Sequence, residues 1–110
     1  MDDNLSLLDW IKRIKDPDPT TFEDAYFGPR PSGNDVVPKL TEELQSSSDG
    51  YTRGKFCELL GEMADDSVIP VLEDEIAHPE RETTRWAVNA IELIRSPRLR
   101  AEAEFFRRHC

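Results

Sequence analysis

At 110 residues with 14 basic and 23 acidic side chains, the chain is the size of one domain, and its net charge of −9 has the wrong sign for following a nucleic-acid backbone. No apolar run approaches the roughly 18 residues of a membrane span and no signal peptide opens the sequence, so a soluble, cytoplasmic protein that engages neither membrane nor nucleic acid is expected. Cys57, in an apolar helical pattern, and Cys110, at the last position, make no disulfide framework, and a hydrophobic fraction of 37% suits thin stacked layers.

Ser6 and Asp9 form an S-x-x-D capping signal, with Leu7, Leu8, Ile11 and Ile14 following at helical spacing. The DPDP stretch at 16–19 predicts the end of that helix near Lys15. Thr21 and Asp24 give a second capping signal, with Phe22, Ala25 and Tyr26 as the apolar face and Gly28 as the stop. Residues 28–35, GPRPSGND, read as a loop.

From here the chain repeats itself. VVPKL at 36–40 returns as VIPVL at 68–72, and Arg53 returns as Arg85, each 32 positions on. A period between 20 and 50 residues is the signature of a repeat architecture. Asp35 and Ser67 suit helix N-caps, which puts Pro38 and Pro70 in the first helical turn, where a missing N–H has no intrahelical acceptor to lose. Val37, Leu40 and Leu44 form one apolar stripe; Ile69, Leu72 and Ile76 form the same stripe again. Each helix meets a polar break, SSSDG at 46–50 and AHPER at 77–81, and a second helix follows. The second helices carry Phe56, Leu59, Leu60 and Met63, then Ala87, Val88, Ala90, Ile91 and Ile94. Ser96 and Pro97 open a last helix with Leu99, Ala103 and Phe106 on one side. Seven helices are predicted, and no strand pattern competes.

A helix opening with V-[VI]-P-x-L, a short turn, and an arginine heading the second helix resembles the HEAT repeat. The phrase LLGEMADDSVIPVLEDEI, joining one unit to the next, is similar to the short bacterial HEAT/PBS-lyase-type repeats. The resemblance covers residues 35–95. It implies an all-α fold, a right-handed stack of antiparallel helical hairpins within one domain spanning 1–110. In that division 1–34 is a degenerate first hairpin, 35–64 and 65–95 are repeats, and 96–110 is a C-terminal cap. It also implies that Arg53 and Arg85 bond acidic or carbonyl groups of the adjacent turn as an inter-repeat ladder, and that the second helices line a concave binding face.

Little in the sequence supports catalysis. His78 and His109 are the only histidines, no metal-ligand spacing or phosphate-cradling glycine loop occurs, and neighbouring acids such as Asp65 with Asp66 follow from acidic composition alone. A non-enzyme without cofactor or metal is expected. The acidity is concentrated: residues 35–82 hold thirteen acidic and four basic groups, whereas 95–110 hold two acidic and five basic. On the second helices, the stripes opposite the apolar residues are Tyr51, Lys55, Glu58 and Glu62, then Glu82, Trp86, Asn89 and Glu92. Aromatic anchors among acids suit a basic protein partner. The expected partner-binding set is Tyr51, Glu58, Glu62, Asp65, Asp66, Glu82, Trp86 and Asn89.

In size and charge the chain is similar to bacterial toxin immunity proteins, including those of contact-dependent growth inhibition. That likeness implies a monomer in a 1:1 complex with a basic toxin domain, a nuclease, whose active site it occludes. The alternative is a regulatory or assembly adaptor holding an enzyme or complex through the same face. Enzymes such as the HEAT-repeat bilin lyases or DNA glycosylases fit less well, since the former have longer arrays and the latter use a basic groove.

Overall fold

The computed structural model describes residues 3–63 and 66–96, with Ala101, Glu102 and Phe105 beyond them. Among these residues the chain is all-α and contains no strand: α1 (Asp3–Ile14), α2 (Pro19–Phe27), α3 (Val36–Ser46), α4 (Gly50–Met63), α5 (Ile69–Ile76) and α6 (Thr84–Arg95). Short 3-10 turns at Asp66–Val68 and Pro79–Arg81 lead into α5 and α6. The last predicted helix falls mostly outside the described residues, of which Ala101, Glu102 and Phe105 are helical.

The local chemistry of the helix ends explains where the sequence reading holds. Pro38 and Pro70 do lie in first turns, and Asp35 is the N-cap position of α3, although its side chain makes no capping bond there. Ser67 is not the corresponding cap, because the 3-10 turn intervenes and Val68 takes that place. Helix α1 begins at Asp3, so the S-x-x-D signal at Ser6 is internal to it. DPDP closes α1 as expected, but its second half also opens α2. Pro19 supplies a preset φ at the first helical position, and the Asp18 carboxylate accepts from the Thr21 N–H at 3.3 Å and hydroxyl at 2.8 Å. Gly28 ends α2 in extended backbone, and a Cβ there would run into the Asp24 carbonyl oxygen. Close approach therefore fixes this glycine, and no left-handed cap is involved.

The helices pair as hairpins, α1 with α2, α3 with α4 and α5 with α6, and the hairpins stack. Trp10, Ile11 and Ile14 of α1 are buried with Ala25 and Tyr26 of α2, and the Trp10 indole donates to the Ala25 carbonyl at 2.9 Å. The next layers supply Val36, Leu40, Leu44, Phe56, Leu59 and Leu60, then Val68, Leu72, Ala87, Ala90, Ile91 and Ile94. Each such side chain contributes roughly 1.5–3 kcal/mol when fully buried. The buried stripe is shifted slightly from the expected one, since Val36 and Val68 lie deeper than Val37 and Ile69. Between the last two hairpins the closest neighbours are the second helices, α4 against α6. Added Cβ atoms at Gly54 and Gly61 would stand 2.9 Å from the Trp86 indole and 2.8 Å from the Ala90 Cα, respectively.

One rung of the expected arginine ladder is present. Arg53 of α4 forks onto Glu75 of α5, Nε and Nη2 donating at 2.9 and 2.6 Å, while Nη1 donates to the Ser47 carbonyl at 2.7 Å. Arg81 Nη1 and the buried Thr83 hydroxyl also donate to Glu75, at 2.7 and 2.8 Å. Arg85 does not form the second rung: its side chain is exposed and has no ion pair among the described residues. Arg53 reaches forward to the next hairpin for its carboxylate, and the sequence does not repeat that acid 32 positions on, where it has Arg107.

Candidate partner-binding face

Helices α4 and α6 run side by side in the same direction: Gly50 lies beside Glu82, Gly54 beside Trp86 and Gly61 beside Ala90. Because Gly54 has no side chain, the Trp86 indole lies across the α4 backbone yet remains 39% exposed. On α4, Tyr51 precedes Gly54 by about one turn and Glu58 follows it by about one turn, each about 5 Å along the axis. Tyr51 is 66% exposed. Asn89, one turn beyond Trp86, and Glu82, one turn before it, are also exposed. Tyr51, Glu58, Glu82, Trp86 and Asn89 thus share one face.

The other acids of the expected set are placed differently. Glu62 accepts from the Tyr26 hydroxyl at 2.7 Å and from Arg30 Nη1 at 3.2 Å, both of which come from the first hairpin and the loop after it. It is a structural acceptor, contrary to the expectation of an open acidic stripe. Lys55 is covered likewise: its ammonium donates to the Ile14 carbonyl at 3.3 Å, with the Phe22 and Tyr51 ring centres at 4.1 and 4.5 Å. Burial holds the Lys55 pKa below the usual lysine range. Asp66 is exposed in the turn beyond the C-terminal end of α4, while Glu82 flanks its first residue, about 20 Å away along the helix. Those two do not meet in one site. Asp65 lies outside the described residues.

Glu58 differs from Glu62. Half-buried, it forms no ion pair with a basic side chain among the described residues, and Arg30 is committed to Glu62. Burial pushes its carboxyl pKa up and Glu62 adds to the rise, while the neighbouring Tyr26 hydroxyl and the Arg30 charge oppose it. The buried Tyr26 phenol is itself raised, first by desolvation and then by Glu62 and Glu58. This cluster therefore holds two carboxylates against one guanidinium. The sequence reading missed Tyr26, Arg30 and Phe22 as its neighbours. The spacing of Phe22 and Tyr26, four apart, marked a helix face, but nothing local said that α4 would be what it covers.

Reactive groups are sparse. Burial pushes the Cys57 thiol up to about 12, leaving it protonated at neutral pH. No three histidine, cysteine or carboxylate side chains converge as a metal site among the described residues, and no helix there is long and apolar enough to cross a membrane.

A stack of helical hairpins joined by a buried arginine–glutamate rung, with aromatics exposed on its second helices, defines a helical-repeat module. A family model for HEAT repeats matches residues 37–104, well over half of the chain, and the chain belongs to that family. HEAT repeats are protein-binding modules. No curated protein and no solved structure matches the chain.

Proposed function

We propose that the protein binds a basic protein partner through the α4–α6 face and acts by occlusion, as an immunity protein that neutralises a toxin domain, a nuclease. The observation that carries this reading is Trp86 lying open across Gly54, one helical turn from a half-buried Glu58 that forms no ion pair among the described residues, in a chain of net charge −9. Exposed aromatics supply anchors for a partner to bury, and the acidic field orients and accelerates a basic one.

The test is affinity capture from the native cell with washes of rising salt, followed by identification of what stays bound. One basic toxin-like domain held in a 1:1 ratio supports the proposal, and nuclease inhibition by the purified protein completes it. A set of weakly held enzymes or complex subunits would overturn it in favour of an adaptor. The doubly substituted Glu82→Lys, Asn89→Lys protein is expected to lose the captured partner while its melting temperature stays within a few degrees of the parent, because both side chains are exposed.

A further inference from the structure

Three features of the α4–α6 face complement one kind of side chain. The Trp86 ring is open to solvent and no cation stands over it among the described residues, whereas the cation near Tyr51 is the chain's own Lys55. Glu58 lies about one helical turn from the backbone on which that ring rests, and the ion pair of Arg30 is made to Glu62 and not to Glu58. Gly54, one turn before Glu58 on α4, carries no side chain, and the Trp86 ring lies across its backbone. An exposed indole resting one helical turn from a half-buried glutamate suits a planar cation, which can stack on the one and fork onto the other.

We infer that the face around Trp86 and Glu58 is a pocket for an arginine side chain of the partner protein, its guanidinium stacked on the Trp86 indole and paired with the Glu58 carboxylate. Arginine suits it better than lysine. A guanidinium is planar and weakly hydrated, so it meets ring and carboxylate together, while an ammonium is a point charge that keeps its water. A guanidinium guest also leaves the cluster of Glu58, Glu62 and Arg30 with two positive groups against two negative ones. Such a pocket would serve as the anchor of the interface, with Glu82 and Asn89 at its rim.

The inference rests on the proposal that this face binds a basic partner, but its test needs no partner. Isotope-labelled protein is titrated with a capped alanine peptide carrying one arginine, up to about 20 mM, and followed by two-dimensional NMR. Saturable shifts of the Trp86 indole N–H and of the Gly54 and Glu58 amides are expected, with the Trp10 indole unmoved because it is buried and bonded to Ala25. Glu58→Gln should weaken the arginine peptide at least about fivefold. The same peptide with citrulline, matched in shape and uncharged, should give no saturable shift. Absence of saturation with arginine, an equal response to citrulline, or equal binding of a lysine peptide would each overturn the arginine pocket. The two readings fail separately. Capture of a basic partner with an unresponsive Trp86 removes only the pocket, while a responsive Trp86 without a basic partner in the cell removes only the proposed function.

Discussion

Glu75 and Glu58 show how neighbours give one side-chain type opposite relations to pH. Burial raises the Glu75 pKa, but the hydrogen bonds from Arg53, Thr83 and Arg81 outweigh it, so the net shift is downward from 4.5. A carboxyl lowered in the folded state contributes stability that is present above its unfolded pKa and is lost as pH falls below it. Glu75→Gln removes that contribution and leaves Arg53 buried without its counter-charge. Urea unfolding at pH 7 should show a loss of about 3–5 kcal/mol. The variant should also lose less stability than the parent between pH 5 and pH 3. For Glu58 the sign reverses. Its folded pKa is raised, so the charged form opposes folding, and stability declines as pH rises through that value. Glu58→Gln should therefore raise the melting temperature at pH 7 and leave it nearly unchanged at pH 3. A lower value at pH 7 would mean that the charge is compensated. Arg53 was legible from the 32-residue period, but Glu75 was not. It sits in the acidic run Glu73–Asp74–Glu75, and only its place three residues after the buried Leu72 distinguishes it from two exposed neighbours.

At the scale of the helices, tight contact between α4 and α6 depends on two glycines with unequal tolerance. A Cβ at Gly61 would meet the Ala90 backbone, which cannot turn aside, so Gly61→Ala should cost about 1–3 kcal/mol in denaturant unfolding. At Gly54 the obstacle is the Trp86 ring, which can rotate outward toward water. Gly54→Ala should cost less and should shift tryptophan emission to longer wavelength, and an unchanged spectrum would show that the ring had not moved. The middle helices were legible because their apolar residues recur at three and four and their prolines mark first turns. The ends of α1 and α2 were less so. Ser6 offers a plausible cap but the helix continues past it, and Asp18–Pro19 provides a stronger start than Thr21 because cap and preset φ coincide.

For the molecule as a whole, the charge distribution and the stacking order matter more than any single contact. Most acidic side chains outside the Glu75 and Glu62 clusters are exposed, so net self-repulsion in a chain of charge −9 should weaken with added salt. Melting temperature is expected to rise between about 10 and about 200 mM monovalent salt, with most of the change at the low end. A fall would mean that the exposed ion pairs outweigh the repulsion. Half of the candidate face was legible as an acidic and aromatic stripe. The other half was not, since the coverage of Lys55 and Glu62 comes from where the first hairpin docks, and helical periodicity records which side of α4 is polar without recording what lies on it.

The glycine seam has a mechanical consequence. Helices α4 and α6 are drawn together by residues without side chains, whereas α3 and α5, on the other side of the same layers, make little direct contact. Helices that meet through bare backbone stand at a spacing set by what is absent, not by side chains that could adjust. Gly54 and Gly61 therefore act as spacers of zero thickness between the helix that carries Tyr51 and the helix that carries Trp86. Bulk added at either glycine would force one side of that seam to give, so the surface offered to a partner can be altered by residues the partner never touches.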